Sequence, residues 1–336
     1  MRIGRGLAAA ALAGFLALAG TSGFVAQAQE AVRIGTSSAG GVFYIVAVGL
    51  SEMLTKHANI NATVEPVGGS HANMFGIQAD KVDLAIANSG AAYDAYHGSE
   101  PFQQPVDLRM LGQGQESYRY ILVRRDAGID EPQDLAGKTF IGSRPSLPEL
   151  EMILSAVAEV NDVPVTDINV VSTVTSGETD KELRAGTVAG ALMPGGARMP
   201  IVSKLFQDEV VDFLYLPEEQ VREIVDNRLP RYFFVRQLPA GHFEGQEKPI
   251  TLFGLKALLV SDAELSDDTA YQVTKTLFEN QEEFGTYHSA AKQWTLDATL
   301  DSPPVPFHPG AIRYFKEKGA WTDELEARQQ ELLNKG

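Results

Sequence analysis

The sequence predicts an α/β protein built as two lobes, each a mostly parallel sheet flanked by helices. Three observations carry that expectation. Between residues 31 and 97 a strand pattern, a loop rich in Gly, Ser and Asn, and a helical pattern follow one another three times. The device recurs between 139 and 198, beyond a turn-rich passage. Near the end the run 252–260 is continuously apolar, as expected of a strand buried on both faces, and only helical patterns follow it.

The first unit opens with the short strand Ala31-Val32-Arg33-Ile34 and the loop Gly35-Thr36-Ser37-Ser38-Ala39-Gly40-Gly41-Val42-Phe43-Tyr44. Val46, Leu50, Met53 and Leu54 then fall at helical spacing, with Lys56 and His57 in the last turn, where cations suit the dipole. The glycines let a ligand approach the backbone, Thr36, Ser37 and Ser38 offer hydroxyls, and the first N–H groups of the helix have no intrahelical partner. Such a terminus attracts anions. An ordinary βα turn has the same composition, so recurrence is what distinguishes the loop.

The second strand, 62–66, runs into Val67-Gly68-Gly69-Ser70-His71-Ala72-Asn73, where Ser70 is a natural N-cap with Asn73 three residues on, before a short helix over 74–79. The third strand, 82–87, is followed by Asn88-Ser89-Gly90 and a helix through Tyr93 and Tyr96. Right-handed crossovers make these strands parallel, so all three loops leave one edge of one sheet, the edge where open α/β sheets bind ligands.

From 108 the pattern changes. Arg109 to Gly112 and Tyr118 to Val123 read as two strands with Gln113 to Ser117 between them, and the turn-rich stretch 124–138 is the expected first crossing between lobes. A second series then starts: strand 139–142, loop Ser143-Arg144-Pro145-Ser146 with Ser146 able to cap, a helix over 147–160, a strand over 188–193, and the loop Pro194-Gly195-Gly196-Ala197-Arg198. Beyond lie a strand near 213–215, an acidic helix over 218–227, the run 231–235, a polar loop over 241–249, the return crossing over 252–260, and helices over 262–284, 290–294, 310–318 and 323–333.

Arg2 and Arg5 precede an apolar run over 7–19, and Ala26-Gln27-Ala28 has the small-x-small form that signal peptidase cuts, so 1–28 reads as a secretory signal. The expected division is 1–28 signal peptide, 29–122 lobe I, 123–250 lobe II and 251–336 the remainder of lobe I. There is no cysteine, which excludes disulfides, a thiol nucleophile and a lipid-modified N-terminus. The leader holds two of the 28 basic residues and none of the 44 acids, so the net charge of −16 becomes −18 once it is removed. That field repels phosphate backbones and anionic lipid, leaving nucleic acid and membrane surfaces as poor partners. Any anionic ligand must be captured by local groups. A soluble, monomeric periplasmic protein is expected.

Several motifs resemble the TAXI solute receptors of TRAP (tripartite ATP-independent periplasmic) transporters. They are Gly40-Gly41-x-Phe43-Tyr44, Val64-Glu65-Pro66-x-Gly68-Gly69-Ser70-x-x-Asn73, Val82-Asp83-Leu84-Ala85-Ile86 followed by Ala92-Tyr93, Asp134-Leu135-x-Gly137-Lys138, and Pro306-x-His308-Pro309-Gly310-Ala311-x-Arg313-Tyr314-Phe315. The last is the most specific, and together they extend over nearly all of the chain after the leader. The resemblance implies a class II periplasmic-binding-protein fold that closes on a small organic anion, without a cofactor, and presents it to a sodium-driven permease whose large and small subunits are separate or fused. Members of that family bind acids such as glutamate and 2-oxoglutarate. Two departures stand out. The family has two tyrosines where this chain has Phe43-Tyr44, and a Gly-rich Ser-Gly-Thr loop where this chain has Ser143-Arg144-Pro145-Ser146. A guanidinium there suits a second carboxylate, which Arg pairs bidentately.

One helix terminus gives an anion about 0.3–1 kcal/mol, and up to ~2 when partly buried. A micromolar receptor needs about 8 kcal/mol. Three termini are therefore insufficient without direct hydrogen bonds, apolar contacts from Phe43 or Tyr44, and closure of a second lobe. Thr36, Ser37, Ser38, Gly40, Gly41, Phe43, Tyr44, Gly69, Ser70, His71, Asn73, Asn88 and Ser89 are the expected ligand groups of the first lobe, with Ser143, Arg144 and Ser146 opposite. Gly195, Gly196 and Arg198 could meet the ligand or, for Arg198, pair with an acid. His71 touches ligand or faces water, Tyr93 reads as packing, and His308 as a structural turn residue. Six histidines occur without H-E-x-x-H or paired metal spacing, no G-x-S-x-G elbow is present, and no Gly-Lys-Ser/Thr follows either glycine cluster, so neither an enzyme nor a Walker-type phosphate site is expected. A periplasmic sensor, or a receptor for an ATP-driven importer, would share every one of these features.

Overall fold

The computed structural model describes residues 31–334 except Ser38 and Ser146. The expected signal peptide, Ser38 and Ser146 lie outside the described residues. The chain runs β1 (Ala31–Gly35), α1 (Val42–Met53) with a π-helical turn Leu54–Ala58, β2 (Asn61–Glu65), α2 (Ser70–Gln78), β3 (Leu84–Asn88), α3 (Ser89–His97) and the long β4 (Leu108–Arg124). It continues with β5 (Thr139–Ser143), α4 (Glu149–Val160), β6 (Asn169–Ser172), α5 (Ser176–Ala185), β7 (Gly190–Gly195), α6 (Pro200–Gln207), β8 (Val211–Phe213), α7 (Glu218–Asn227), β9 (Phe234–Leu238) and β10 (Ile250–Asp262). Helices α8 (Asp267–Glu279), α9 (Gln281–Tyr287), α10 (Leu296–Leu300), α11 (Pro309–Glu317) and α12 (Asp323–Leu333) finish it.

The strands form a continuous ladder in the order β2-β1-β3-β10-β4-β7-β5-β6, with β8 also on β4 and β9 on β10. β1 is parallel to β2 and β3, and β5 is parallel to β6 and β7, while β10 runs antiparallel to β3 and β4, and β4 to β7. Two parallel groups are thus joined through two antiparallel strands. The core divides in the same way. One cluster is built from residues of 32–111 and 257–315, and two others from residues of 118–255. The passage between them lies inside β4, between Leu111 and Tyr118, and inside β10, between Leu255 and Ala257.

This differs from the expected crossing at 124–138, where Ile129 and Leu135 pack wholly within the second core. The two strands read at 109–112 and 118–123 are one. Gln113, Gly114 and Gln115 hid the continuity, because polar residues at successive positions suggest a loop. Here they are buried and bonded to the segment 294–301. Gln113 Nε2 donates to the Ala298 carbonyl at 2.9 Å, its backbone exchanges bonds with Thr299 Oγ1, and Trp294 Nε1 donates to Gln115 Oε1 at 2.8 Å. Across the ladder, Lys256 Nζ meets the Asp301 carboxylate at 2.8 Å. These bonds offset much of the cost of burial, although Gln113 Oε1 has no partner.

Other differences are local. The expected helix 262–284 is α8 and α9, broken at Asn280, and 231–235 is a turn leading into β9. Elements β6, α5 and α6 were not anticipated. Helix α5 averages polar along its length and buries only Thr179 and Leu183, so it carries little apolar period to read. His308 is indeed structural: it caps α11, accepting from Gly310 N at 3.1 Å through Nδ1 while Nε2 donates to the Leu265 carbonyl at 2.9 Å.

Two predictions follow from this packing. A Cβ on Gly114 would stand 2.2 Å from the Trp294 ring, so Gly114→Ala should lower the urea-unfolding free energy by about 1–3 kcal/mol. Gly177→Ala, at an exposed site with only Thr175 Oγ1 nearby, should stay within about 0.5 kcal/mol of the parent. Burial holds the His308 imidazole below its ordinary pKa, outweighing the Leu265 bond and the exposed Asp267 carboxylate 3.7 Å away. The unfolded chain takes up that proton below about pH 6.5, where the folded protein resists it, so stability should decline as pH falls through that value. Urea melts between about pH 7.5 and 5 should show a shallower decline for His308→Asn, which can cap without titrating.

Candidate functional site

Because β1, β2 and β3 are parallel, the loops that follow them share an edge, and the helices α1, α2 and α3 begin there. The loops are tied to one another. Thr36 N donates to the Glu65 carbonyl at 2.9 Å, Gly68 N to the Thr36 carbonyl at 3.4 Å, and Asn88 N to Ser70 Oγ at 3.0 Å. Ser70 is therefore the first residue of its helix and a bridge to the third loop, rather than the expected N-cap. Gly69 takes the cap position with φ of 131°, next to Gly68 at 125°, values that L side chains rarely adopt.

The three helix starts are not equivalent. Asn88 caps α3, its Oδ1 accepting from Ala91 N at 2.7 Å. Gly41 and Gly69 provide no side-chain cap for α1 and α2. Their first amides are left for a ligand or solvent. Beside them Thr36 Oγ1, Ser37 Oγ and Asn73 Oδ1 are buried without a hydrogen-bond partner, although Asn73 Nδ2 is fixed on the Ile86 carbonyl at 2.9 Å. Buried polar atoms without partners are uncommon in folded proteins, and three in one corner is a concentration.

A cavity of about 410 Å³ opens at the start of α2, and Thr36, Ser37, Asn73, Asn88 and the first turn of α1 are not part of its lining. Gly69, Ser70 and His71 line it from the first lobe, Pro145 and Pro148 from the segment after β5, and Glu100 with Pro101 at a further side. Three of the expected residues thus face part of the second series across an open space. His71 Nε2 lies 3.5 Å from the Asp94 carboxylate, which orients the ring. Glu100 is exposed and adds a negative charge to the wall.

Other expected residues stand apart from the lining. Gly40 is exposed, Gly41, Phe43 and Tyr44 are half-buried around the first turn of α1, and Ser89 is buried, its Oγ donating to the Tyr232 carbonyl at 3.3 Å. Ser143 donates its hydroxyl to Glu151. Gly195 pairs with Tyr118 in the sheet, the Gly196 carbonyl accepts from the Tyr120 hydroxyl at 2.8 Å, and Arg198 is exposed. These three glycine-loop residues do not line the cavity. Arg144 does not line it either. It is 6 % exposed, and its Nη1 and Nη2 reach Ser176 Oγ and Thr179 Oγ1, each at 3.3 Å. Burial, and then the neighbouring Arg119, hold its pKa below the ordinary arginine value.

Two participants were missed in the sequence. The first residue of α5, Ser176, meets Arg144, and the Thr175-x-x-Glu178 capping box was a legible helix start. Tyr232 packs against Tyr93 of α3 at 5.3 Å between ring centres and sets its hydroxyl 3.7 Å from Met152 Sδ of α4, which brings α3 and α4 together within one core cluster. Nothing in the local sequence around Tyr232 distinguishes it from any buried aromatic. Tyr93 is a packing residue, as expected. Among the described residues no group of His, Cys, Asp and Glu could hold a metal ion, and no helix is long and apolar enough to cross a membrane.

Two parallel α/β groups joined by two long antiparallel strands, with loops meeting across a cavity, define the architecture of two-lobed periplasmic solute-binding proteins. The profile of the NMT1-like family matches residues 34–319, and the chain belongs to that family. Among solved structures, a TctC solute-binding protein from Polaromonas without ligand is similar with a TM-score of 0.51 and 13 % identity, over 92 % of this chain and 100 % of that one. XAC2383 from Xanthomonas citri, solved with ATP, gives 0.52 and 10 %, over 91 % and 98 %. A protein from Methylobacillus flagellatus KT assigned as the periplasmic sulfonate-binding component SsuA of an ABC transporter gives 0.50 and 14 %, over 91 % and 95 %. At such identities the likeness is one of fold. The TAXI assignment expected from the motifs is narrower than the family match.

The loop-to-loop bonds can be tested as a unit. Asn88→Ala and Ser70→Ala should each lower stability by about 1 kcal/mol. Because both act on the Asn88 residue, the double variant should lose less than the sum, which a urea double-mutant cycle measures.

Proposed function

We propose that this protein is a periplasmic receptor that captures a small organic acid between its lobes and hands it to a sodium-driven TRAP permease, as a TAXI-type member of its family. The observation that carries the reading is the uncapped start of α2, whose Gly69 and Ser70 line a cavity faced by Pro145 and Pro148, with the uncapped start of α1 and the unpartnered Thr36 Oγ1, Ser37 Oγ and Asn73 Oδ1 near the same sheet edge. Amide ends and hydroxyls without partners suit a carboxylate, and the cavity volume suits a small solute. Lobe I is built around the core of 32–111 and 257–315 and lobe II around that of 118–255, shifting the expected bounds at 122 and 251, and β4 and β10 form the hinge on which they close. On closure Thr36, Ser37, Gly40, Gly41, Phe43, Tyr44, Gly69, Ser70, His71, Asn73, Asn88 and Ser89 form one side. Ser143 and Arg144 form the other, with Gly195, Gly196 and Arg198 at its margin. Residues 1–28 direct export, and the mature protein acts as a monomer without cofactor or catalysis. Glutamate, 2-oxoglutarate and related mono- and dicarboxylates form the ligand class.

A receptor for an ATP-driven importer is the second reading, favoured by the shared fold of the assigned ABC-transporter component. Melting the protein with a panel of mono- and dicarboxylic acids tests the binding step. An acid at about a hundred times its Kd should stabilise by about 2.7 kcal/mol, or several degrees in Tm, with the acid recovered unchanged by NMR. No shift with any acid, or chemical turnover, would sink the receptor reading. In vesicles carrying the cognate permease, uptake should follow a sodium gradient and ignore ATP depletion; the reverse selects the second reading.

A further inference from the structure

The cation budget of lobe II does not close. Arg119 and Glu149 form an ion pair buried to within a few per cent of full coverage, with Nη2 2.5 Å and Nε 3.2 Å from the carboxylate. That pair is self-contained. Arg144, nearby and 6 % exposed, has only hydroxyl acceptors, Ser176 Oγ and Thr179 Oγ1 at 3.3 Å, and its Nε has no partner. Each neighbouring acid is engaged elsewhere. Glu149 serves Arg119, Glu178 accepts from Val174 N at 2.8 Å in the α5 capping box, and Glu151 accepts from the Ser143 hydroxyl. Thr179 Oγ1 is itself shared with Thr173 Oγ1 at 2.8 Å.

Two features make this arrangement costly unless an anion arrives. A buried guanidinium is normally paired with a carboxylate, because desolvation is otherwise uncompensated. Here it also stands at the start of the ten-residue helix α5, whose dipole end is positive and repels it. Arg144 immediately precedes Pro145, which with Pro148 walls the cavity.

We propose that Arg144 is a specificity-determining residue that selects ligands carrying two anionic groups, one received by the open amide ends of lobe I and the second balanced by Arg144 when lobe II closes. The inference rests on the organic-acid reading and sharpens it. Hydroxyl partners at the long end of hydrogen-bond distance are readily exchanged for a carboxylate oxygen, which accepts from a guanidinium more strongly.

Glutarate and pentanoate, acids of equal chain length that differ by one carboxylate, are the probes, titrated calorimetrically into the parent, Arg144→Gln and Arg144→Lys. The parent should bind glutarate at least about tenfold more tightly than pentanoate, and Arg144→Gln should weaken glutarate about 10- to 100-fold, leaving pentanoate within about threefold, because a hydrogen bond to a charged group is at stake. Arg144→Lys should keep part of the preference, since it retains charge and loses the planar fork. Equal loss of both acids overturns the proposal. Should Arg144→Gln fail to fold, the parent's own ratio and that of Arg144→Lys decide, and a parent ratio near one overturns it. Equal binding of both acids by the parent leaves the organic-acid reading standing without this inference, whereas binding of neither glutarate, pentanoate nor any other acid of the panel removes both.

Discussion

The pairing of β4 with β10 is the constraint on which the remaining architecture depends. Both strands belong to two cores at once, so they fix the distance and relative twist of the two parallel groups. A strand of 17 residues reaches about 56 Å at 3.3 Å per residue, enough to serve both groups. At the passage between cores apolar packing has to lapse, and buried polar side chains take its place. Gln113, Gln115 and Lys256 are held by Trp294, Ala298 and Asp301. Directional bonds to one segment give that passage a defined geometry. The ladder shows register irregularities within the same stretch, between Lys256 and Leu258 and between Leu259 and Val260. Such irregularities bend a strand locally.

With the cores held in this way, the groups that lack partners acquire meaning from their position. Thr36 Oγ1, Ser37 Oγ and Asn73 Oδ1 sit on the edge set by three parallel strands, and Arg144 Nε sits in the segment opposite. Each unsatisfied group costs stability, on the order of 1–3 kcal/mol when neutral. The lattice of loop bonds through Asn88, Ser70 and Thr36 offsets part of that cost by holding the corner rigid. Preorganised polar groups and local destabilisation are therefore two aspects of one arrangement.

Much of this was legible in the sequence, and what was not has physical causes. The repeated strand, Gly/Ser/Asn loop and helix gave the parallel edge, because turn residues and apolar period are both local signals. Asn88 as a cap and 252–260 as a doubly buried strand needed nothing beyond their own neighbours. Ser70 looked like a cap from its type and position, yet Gly69 ends the loop and frees the hydroxyl for Asn88 N. Gln113 to Ser117 looked like a break because the partners that permit their burial lie some 180 residues further along the chain. Arg144 was legible as an unusual residue in its loop. Its isolation from carboxylates was not, since that depends on where Glu149, Glu151 and Glu178 spend their own acceptors.

The net charge of −16 sets the last condition on the site. An acidic protein that takes up an anion must do so over a range shorter than its own repulsion. At physiological salt the screening length is about 8 Å, so exposed acids such as Glu100 at the cavity wall are damped by solvent. Buried groups are damped far less. On the proposed reading, the amide ends of α1 and α2 and the guanidinium of Arg144 act on the acid across low-dielectric surroundings, where interactions are several-fold stronger than at the surface. Discrimination then arises, on that reading, from which anionic groups can reach those points together.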